Sequence, residues 1–267
     1  MNDLINYLNL DSTLKSKVLK CYDKKQNKIK SLVKRCKDGN FTSLSCVDDV
    51  TRLAVCLECS ECTKEFYINK GIPVDIFYST MQDISIWCEN NKNHGLKNYR
   101  WIQNHLKGEL FKIGRLQYQM FTIQSNFLNY DLLPFDKGDK MIYIHIPQGE
   151  KLIYSECVES LHRAKAFFEK YFSDFDFTFF FCESWLLYEE NYAFMNTSSN
   201  ILQFQSLFDI ICSKPLDAQA IERIFGKRKL RISAYPEKTS LQKSAKAYMQ
   251  NGNKLGIGIG IINKYEI

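Results

Sequence analysis

Residues 140–187 read KMIYIHIPQGEKLIYSECVESLHRAKAFFEKYFSDFDFTFFFCESWLL, and the fold turns on this stretch. "KMIYIHIP" is short and rich in β-branched residues, as a strand requires. "QGEKLIY" reads as a turn. "SECVESLHRAKAFFEKYF" repeats its apolar residues at helical spacing, with Ser155 placed as N-cap and Glu156 beside it. "FDFTFFFCESWLL" is a second apolar run of strand character. A strand, a helix and a strand in this order imply two parallel strands joined by a right-handed crossover. Pro147 has no N–H to give to a ladder, so pairing is expected to fail at that end of the first strand. Parallel strands that part at their carboxyl ends leave a cleft for a ligand.

Strand alternation places the polar groups near that cleft. His145 shares a face with Tyr143 and Pro147, while Ile142, Ile144 and Ile146 face the other way. On the second strand Glu183 shares a face with Phe179, Phe181 and Trp185, and Cys182 and Ser184 share the opposite one. A buried carboxylate among apolar neighbours has a raised pKa, which suits a general base. If Glu183 lies past the buried part of its strand, it is simply solvated. His145 serves equally well as a hydrogen-bonded structural residue. A different chemistry would use Cys182 as nucleophile and His145 as its base, but alternation sets Cys182 opposite Glu183, so the three do not converge.

Outward from this unit the texture changes. Before residue 112 the pattern is helical, with candidate helices over 12–37, 46–68, 73–88 and 97–109. After it, "GRLQYQMFTI" alternates as a strand does, and "SNILQFQ" reads as another short strand. Helices are expected at 155–172, 217–225 and 239–250. The terminal "GIGIG" lacks the following helix of a dinucleotide loop. Gly256, Gly258 and Gly260 instead bare one face of a strand to a close neighbour. The chain is therefore α+β overall: a helical domain over 1–111, then an α/β domain over 112–267.

Composition sets limits on function. Of the 267 residues, 45% are hydrophobic and 14% aromatic, enough for a substantial core, and five prolines and 12 glycines argue against a long disordered linker. Residues 15–37 hold ten basic side chains and one acid, a local charge of +9 in a chain of net +6. Such a segment attracts anions, or it is the solvated face of a helix whose stripe is Leu14, Val18, Tyr22, Ile29, Leu32, Val33 and Cys36. No nucleic-acid motif accompanies it. The opening "MNDLINYLNLD" is acidic where a signal peptide is basic, and no apolar run approaches a membrane span. With ten cysteines and no secretion signal, reduced thiols and a cytoplasmic location are expected. "CLECSEC" (56–62) sets three thiols on one broad helical face, with Ser45 as expected N-cap. No fourth ligand follows, so no metal site is expected and Cys46, Cys56, Cys59 and Cys62 are read as small buried hydrophobes.

Taken in order, "IGRLQYQMF", "YIHIPQGEKL", "FCESWLL", "SNILQFQSLF" and "IERIFGKRKL…TSLQKSAKAYMQNGNKLGIGIGII" resemble a family of bacterial acyltransferase-domain proteins. That family joins a helical N-acyltransferase-type N-terminal domain to a GNAT-like C-terminal domain. The resemblance covers nearly the whole chain. It implies transfer of an acyl group from a thioester, acyl-CoA or acyl-pantetheine, to an amine by direct attack, with no tightly bound cofactor. On that implication Ile144, His145 and Ile146 flank the thioester, His145 or Glu183 is the base, and Tyr143 or Tyr188 protonates the leaving thiolate. Gln148, Gly149, Lys151, Ser155, Cys182, Ser184 and Trp185 would line the donor site. The usual glycine-rich pyrophosphate turn is represented here only by Gly149, with Glu150 and Glu156 nearby. An acidic acyl carrier protein docked on segment 15–37 would not need that turn. The alternative is a catalytically silent binding module that keeps the fold.

Overall fold

A computed structural model describes residues 2–124 and 135–267. Contacts divide the chain into two compact units, Met1–Gln119 with Ile146–Gly149, and Met120–His145 with Glu150–Ile267.

The first unit is helical: α1 (Asn2–Tyr7), α2 (Ser12–Lys37), α3 (Asp49–Asn69), α4 (Val74–Met81), α5 (Asp83–Asn90) and α6 (Tyr99–Leu106). α2 starts where the Asp11 carboxylate accepts from the amides of Thr13 (2.9 Å) and Leu14 (3.0 Å). Its buried stripe is Leu14, Val18, Ile29, Leu32, Val33 and Cys36, while Tyr22, expected in the same stripe, is only half-buried. The helix bends at Lys25, whose Nζ reaches Asp48 and Thr51, both at 2.9 Å. α3 is capped by Asp48, not by Ser45, which lies in a 3-10 turn over Phe41–Cys46. Asp48 outcompetes the serine because its carboxylate takes both the amide and the hydroxyl of Thr51, and a charged acceptor makes the stronger cap. The single helix expected over 73–88 is two, divided at Gln82. Of the cysteines read as buried, Cys56 and Cys59 are, Cys62 is half-buried, and Cys46 is exposed because it closes the 3-10 turn ahead of α3.

A buried polar cluster ties α5 to α6. Asp83 accepts from Trp101 Nε1 at 2.5 Å. His105 Nε2 stands 3.0 Å from the same carboxylate, an ion-pair separation too oblique for a well-directed hydrogen bond. Burial pulls the Asp83 pKa up, but His105, Trp101 and Gln117 outweigh it and hold the carboxyl below its ordinary value.

A six-stranded mixed sheet orders its strands β1-β2-β3-β4-β6-β5. These are β1 (Leu110–Ile113), β2 (Leu116–Thr122), β3 (Lys140–His145), β4 (Phe179–Ser184), β5 (Asp209–Lys214) and β6 (Ile257–Asn263). β1 and β2 form an antiparallel hairpin, β3 and β4 run parallel, and β6 lies antiparallel between β4 and β5. α7 (Tyr154–Tyr171) is the crossover between β3 and β4, and α8 (Asn200–Gln205), α9 (Ala218–Phe225) and α10 (Ser240–Gln250) complete the second unit. Residues 200–205, expected as a strand, form a helix. Ser199 Oγ accepts from Leu202 N at 3.3 Å and starts it, and a short apolar run has no periodicity to resist that cap. β5 had no sequence signal: it is an edge strand, half-buried along most of its length.

The bare glycine strip has a specific occupant. β4 ends at Ser184, whose hydroxyl accepts from Leu186 N (3.2 Å), and Trp185–Leu187 turns off as a 3-10 segment. That segment lies on the glycines. A Cβ on Gly258 would overlap the Leu187 carbonyl, one on Gly256 would meet the Tyr188 ring, and one on Gly260 would come within 2.7 Å of Phe208 Cβ. No helix among the described residues is long and apolar enough to cross a membrane.

Two stability measurements check this account. Gly258→Ala should lower the free energy of unfolding by about 2 kcal/mol or more, because the clash is with backbone that cannot turn aside. Gly252→Ala strains φ but meets open space, and should cost less in the same urea titration. Asp83→Ala should destabilise by about 3–5 kcal/mol, by leaving His105 and Trp101 buried without their partner. The folded Asp83 carboxyl is held low, so its contribution is complete above the unfolded carboxylate range and fades as pH falls through the folded value. Asp83→Asn should lack that acid limb.

Candidate active site

The parallel pair is in register at Met141 opposite Phe179, Ile142 opposite Phe180 and Tyr143 opposite Phe181. Ile144 and His145 on β3, and Cys182, Glu183 and Ser184 on β4, extend beyond the last of these pairs. β4 meanwhile continues its ladder with β6 as far as Ser184 opposite Gly258. The second of the two parallel strands is thus held by β6 while the first runs on towards Pro147. The paired register of β3 and β4 thus ends ahead of Pro147.

One face of this region carries Met141, Tyr143 and His145 on β3, Phe179, Phe181 and Glu183 on β4, and Ile259 and Ile261 on β6. The Tyr143 ring stacks on His145 with centroids 4.3 Å apart and planes at 22°. The same ring meets Phe181 edge-on at 5.1 Å and 87°. Ile123, Met141, Phe181, Ile259 and Ile261 form an apolar cluster here, with Phe121, Phe135 and Phe179 half-buried against it. Glu183, half-buried and opposite Ile259 in register, stands at the end of this face. Burial pushes its carboxyl above the ordinary value. Neither His145 nor Glu183 is turned into bulk water; both are half-buried.

The opposite face is packed. Ile142, Ile144, Phe180 and Cys182 are buried there, and an aromatic chain runs from Phe180 through Phe177 to Phe168 on α7. Burial pushes the Cys182 thiol far up, so it is a poor nucleophile, and His145 lies on the other face. Ser184 is committed to its 3-10 turn. Trp185 gives its amide to Gln219 Oε1 (2.6 Å) and packs with the α9–α10 cluster. Tyr188 sits on the Gly256 side, its phenol pushed up by burial and by Glu190 and Glu189. The structure therefore brings Tyr143, His145 and Glu183 to one face and leaves Cys182, Ser184 and Tyr188 elsewhere.

Ile146, Gln148 and Gly149 belong to the first unit, where Gln148 Oε1 accepts from Asn90 Nδ2 at 3.1 Å. Gly149 takes φ +99° with open space around it. Lys151 is exposed. Ser155 is not the N-cap of α7: the cap position is Ile153, which makes no side-chain bond to the helix. The first-turn residues Tyr154, Ser155 and Glu156 are exposed, so their amides are open to an anion. Asn191 escaped the sequence reading. It is buried and donates to the Trp185 (2.9 Å) and Leu186 (3.3 Å) carbonyls, fixing the turn that ends β4. Nothing in periodicity marks such an asparagine. Among the described residues, no group of three His, Cys, Asp or Glu side chains is arranged to hold a metal.

The chain matches the N-acyltransferase N-terminal domain over residues 1–108 and the GNAT-like C-terminal domain over 110–262, and it belongs to that family. Among solved structures, an acyltransferase in complex with decanoyl-CoA and teicoplanin superposes with a TM-score of 0.79 at 19% identity, covering 98% of this chain and 87% of that one. The complex of an acyltransferase with CoA and 10C-teicoplanin gives the same values. A decanoyl-CoA complex matches with a TM-score of 0.68 at 22% identity over 79% of this chain and 65% of that one. At these identities the likeness establishes the fold. No curated protein matches by sequence.

Glu183 makes the site testable without a substrate. A carboxyl raised in the folded state favours folding at acid pH, and that advantage is lost as pH rises from the unfolded value through the folded one. Glu183→Gln should flatten this part of the stability–pH curve in denaturant titrations, leaving the fold intact.

Proposed function

We propose that the protein is an N-acyltransferase that moves an acyl group from a thioester donor to an amine. The observation that supports this reading is the placement of Tyr143, His145 and Glu183 on one face at the carboxyl ends of β3 and β4, in a chain of this family. The thioester lies in the parting, flanked by the main chain of Ile144, His145 and Ile146. Glu183, raised by burial, takes the proton from the attacking amine. The nitrogen–carbon bond forms, the carbon–sulfur bond breaks, and Tyr143 protonates the departing thiolate. His145 orients Tyr143 through the stacked rings. The apolar face of Phe121, Phe179, Phe181, Ile259 and Ile261 suits an aliphatic acyl chain, a donor chemistry in keeping with the decanoyl-CoA bound by the solved relatives.

The donor's phosphates find open amides at the first turn of α7, with Lys151 close in sequence. Glu150 and Glu156 oppose them, which leaves room for a pantetheine arm delivered by an acidic carrier protein. The exposed lysines 17, 20, 24 and 28 of α2 suit such a partner. Lys25 is engaged with Asp48 and is not part of that surface. The proposed setting is the cytosol, where acyl thioesters are made.

The experiment is an amide-formation assay with acyl-CoAs and acyl carrier proteins of graded chain length against a panel of amines. Activity is expected with one donor class and should fall about a hundredfold or more in Glu183→Gln, with the rising limb of the pH–rate profile removed. Charge reversal at Lys20, Lys24 and Lys28 should weaken carrier-protein donors alone. If no thioester is turned over and none stabilises the protein to heat, the chain is a silent ligand-binding module of the same fold.

A further inference from the structure

Just past α9 the second unit exposes a loop that is both basic and apolar. The helix stops at Gly226, whose φ of +83° cannot continue it. Residues 226–232 then read GKRKLRI, four cations and no acid. Leu230 is 106% exposed, so its side chain protrudes, and Leu216 and Ile232 are exposed as well. Lys227 and Arg231 are exposed on either side of the leucine in sequence. The loop is held at both ends. Arg228 grips the Asp217 carboxylate, next to Leu216, with both terminal nitrogens. The Lys229 amide donates to Tyr235 Oη at 3.2 Å, and the Tyr235 ring lies 4.4 Å from that of Phe225. The Lys246 ammonium donates to the carbonyls of Ser233 and Tyr235, both at 2.9 Å, and pairs with Glu237 at 2.6 Å. A leucine held out in water in this way carries a hydration cost that only a partner relieves.

We propose that this loop docks on the surface of an anionic lipid bilayer, with Leu230 entering the boundary between headgroups and acyl chains. Lys227, Lys229 and Arg231 then lie among the lipid phosphates. Arg228, engaged with Asp217, is not counted among them. The form of the patch selects the partner. A stable protein interface buries about 800 Å² on each side, far more than one protruding leucine with two apolar neighbours supplies. A bilayer sets no such threshold: an apolar side chain enters its boundary, and each cation near an anionic surface strengthens binding about fivefold. A nucleic acid would use the cations and leave Leu230 in water. The proposal is independent of the acyl-transfer reading, which rests on β3 and β4.

The test is co-sedimentation of the full chain with phosphatidylcholine vesicles, with and without one-third phosphatidylglycerol. Binding is expected only with the anionic lipid and should weaken as salt rises. Lys227→Gln combined with Arg231→Gln should weaken it about twentyfold or more, and Leu230→Ser about tenfold. These side chains are exposed, so the variants should melt with the parent. In Leu230→Trp, the emission of the added indole should shift to the blue on anionic vesicles. Charge reversal at Lys20, Lys24 and Lys28 of α2 should leave vesicle binding unchanged. Absence of binding overturns the proposal, as does binding that survives the loop variants and is lost with the α2 reversal. Binding that falls with the glutamines and not with Leu230→Ser also overturns it, and marks an electrostatic surface for a soluble polyanion instead.

Discussion

The structure of the second unit depends on what β4 pairs with at each end. On one side it is laddered to β6 through Ser184 opposite Gly258, and on the other its register with β3 runs to Phe181. The first constraint fixes β4 in place. The second ends ahead of Pro147, which has no N–H to extend the ladder. Glu183 is presented at the end of a held strand, and His145 at the end of one that leaves. Their common face follows from alternation alone, and its half-burial follows from the apolar cluster beneath.

The pairing and the faces were legible in the sequence because they rest on period two and on a strand–helix–strand order. The parallel pair, the crossover helix, and the faces of Tyr143, His145, Cys182 and Glu183 needed no tertiary information. What escaped was decided by competition between neighbours. Ser45 and Asp48 are both fair caps, and only the position of Thr51 selects the aspartate. Ser155 looked like a cap, yet α7 begins at Tyr154, one residue ahead of it. Residues 200–205 have the composition of a strand, and one hydroxyl at Ser199 makes them a helix. β5 carries no alternating burial, since it is an edge strand with no buried face to write into the sequence. The Gly256–Gly260 strip was readable as a demand for a close neighbour. The identity of that neighbour, the main chain of Leu187, was not, because it comes from a turn whose register only the folded sheet sets.

The helical unit shows the same division between pattern and partnership. The stripe of α2 is plain in its spacing, but spacing announces neither the bend at Lys25 nor that residue's bond to Asp48. Periodicity groups the cysteines of α3 together, and the packing separates them. Asp83, His105 and Trp101 form a buried polar cluster from two short helices, each of which taken singly looks like an ordinary amphipathic segment.

The missing side-chain cap of α7 leaves the first turn of that helix without a local acceptor. A helix whose first turn lacks a side-chain acceptor forgoes about 1 kcal/mol of local stability, and its leading amides exchange readily with solvent. Any anionic group that settles there supplies the absent acceptor, so occupancy and local order rise together.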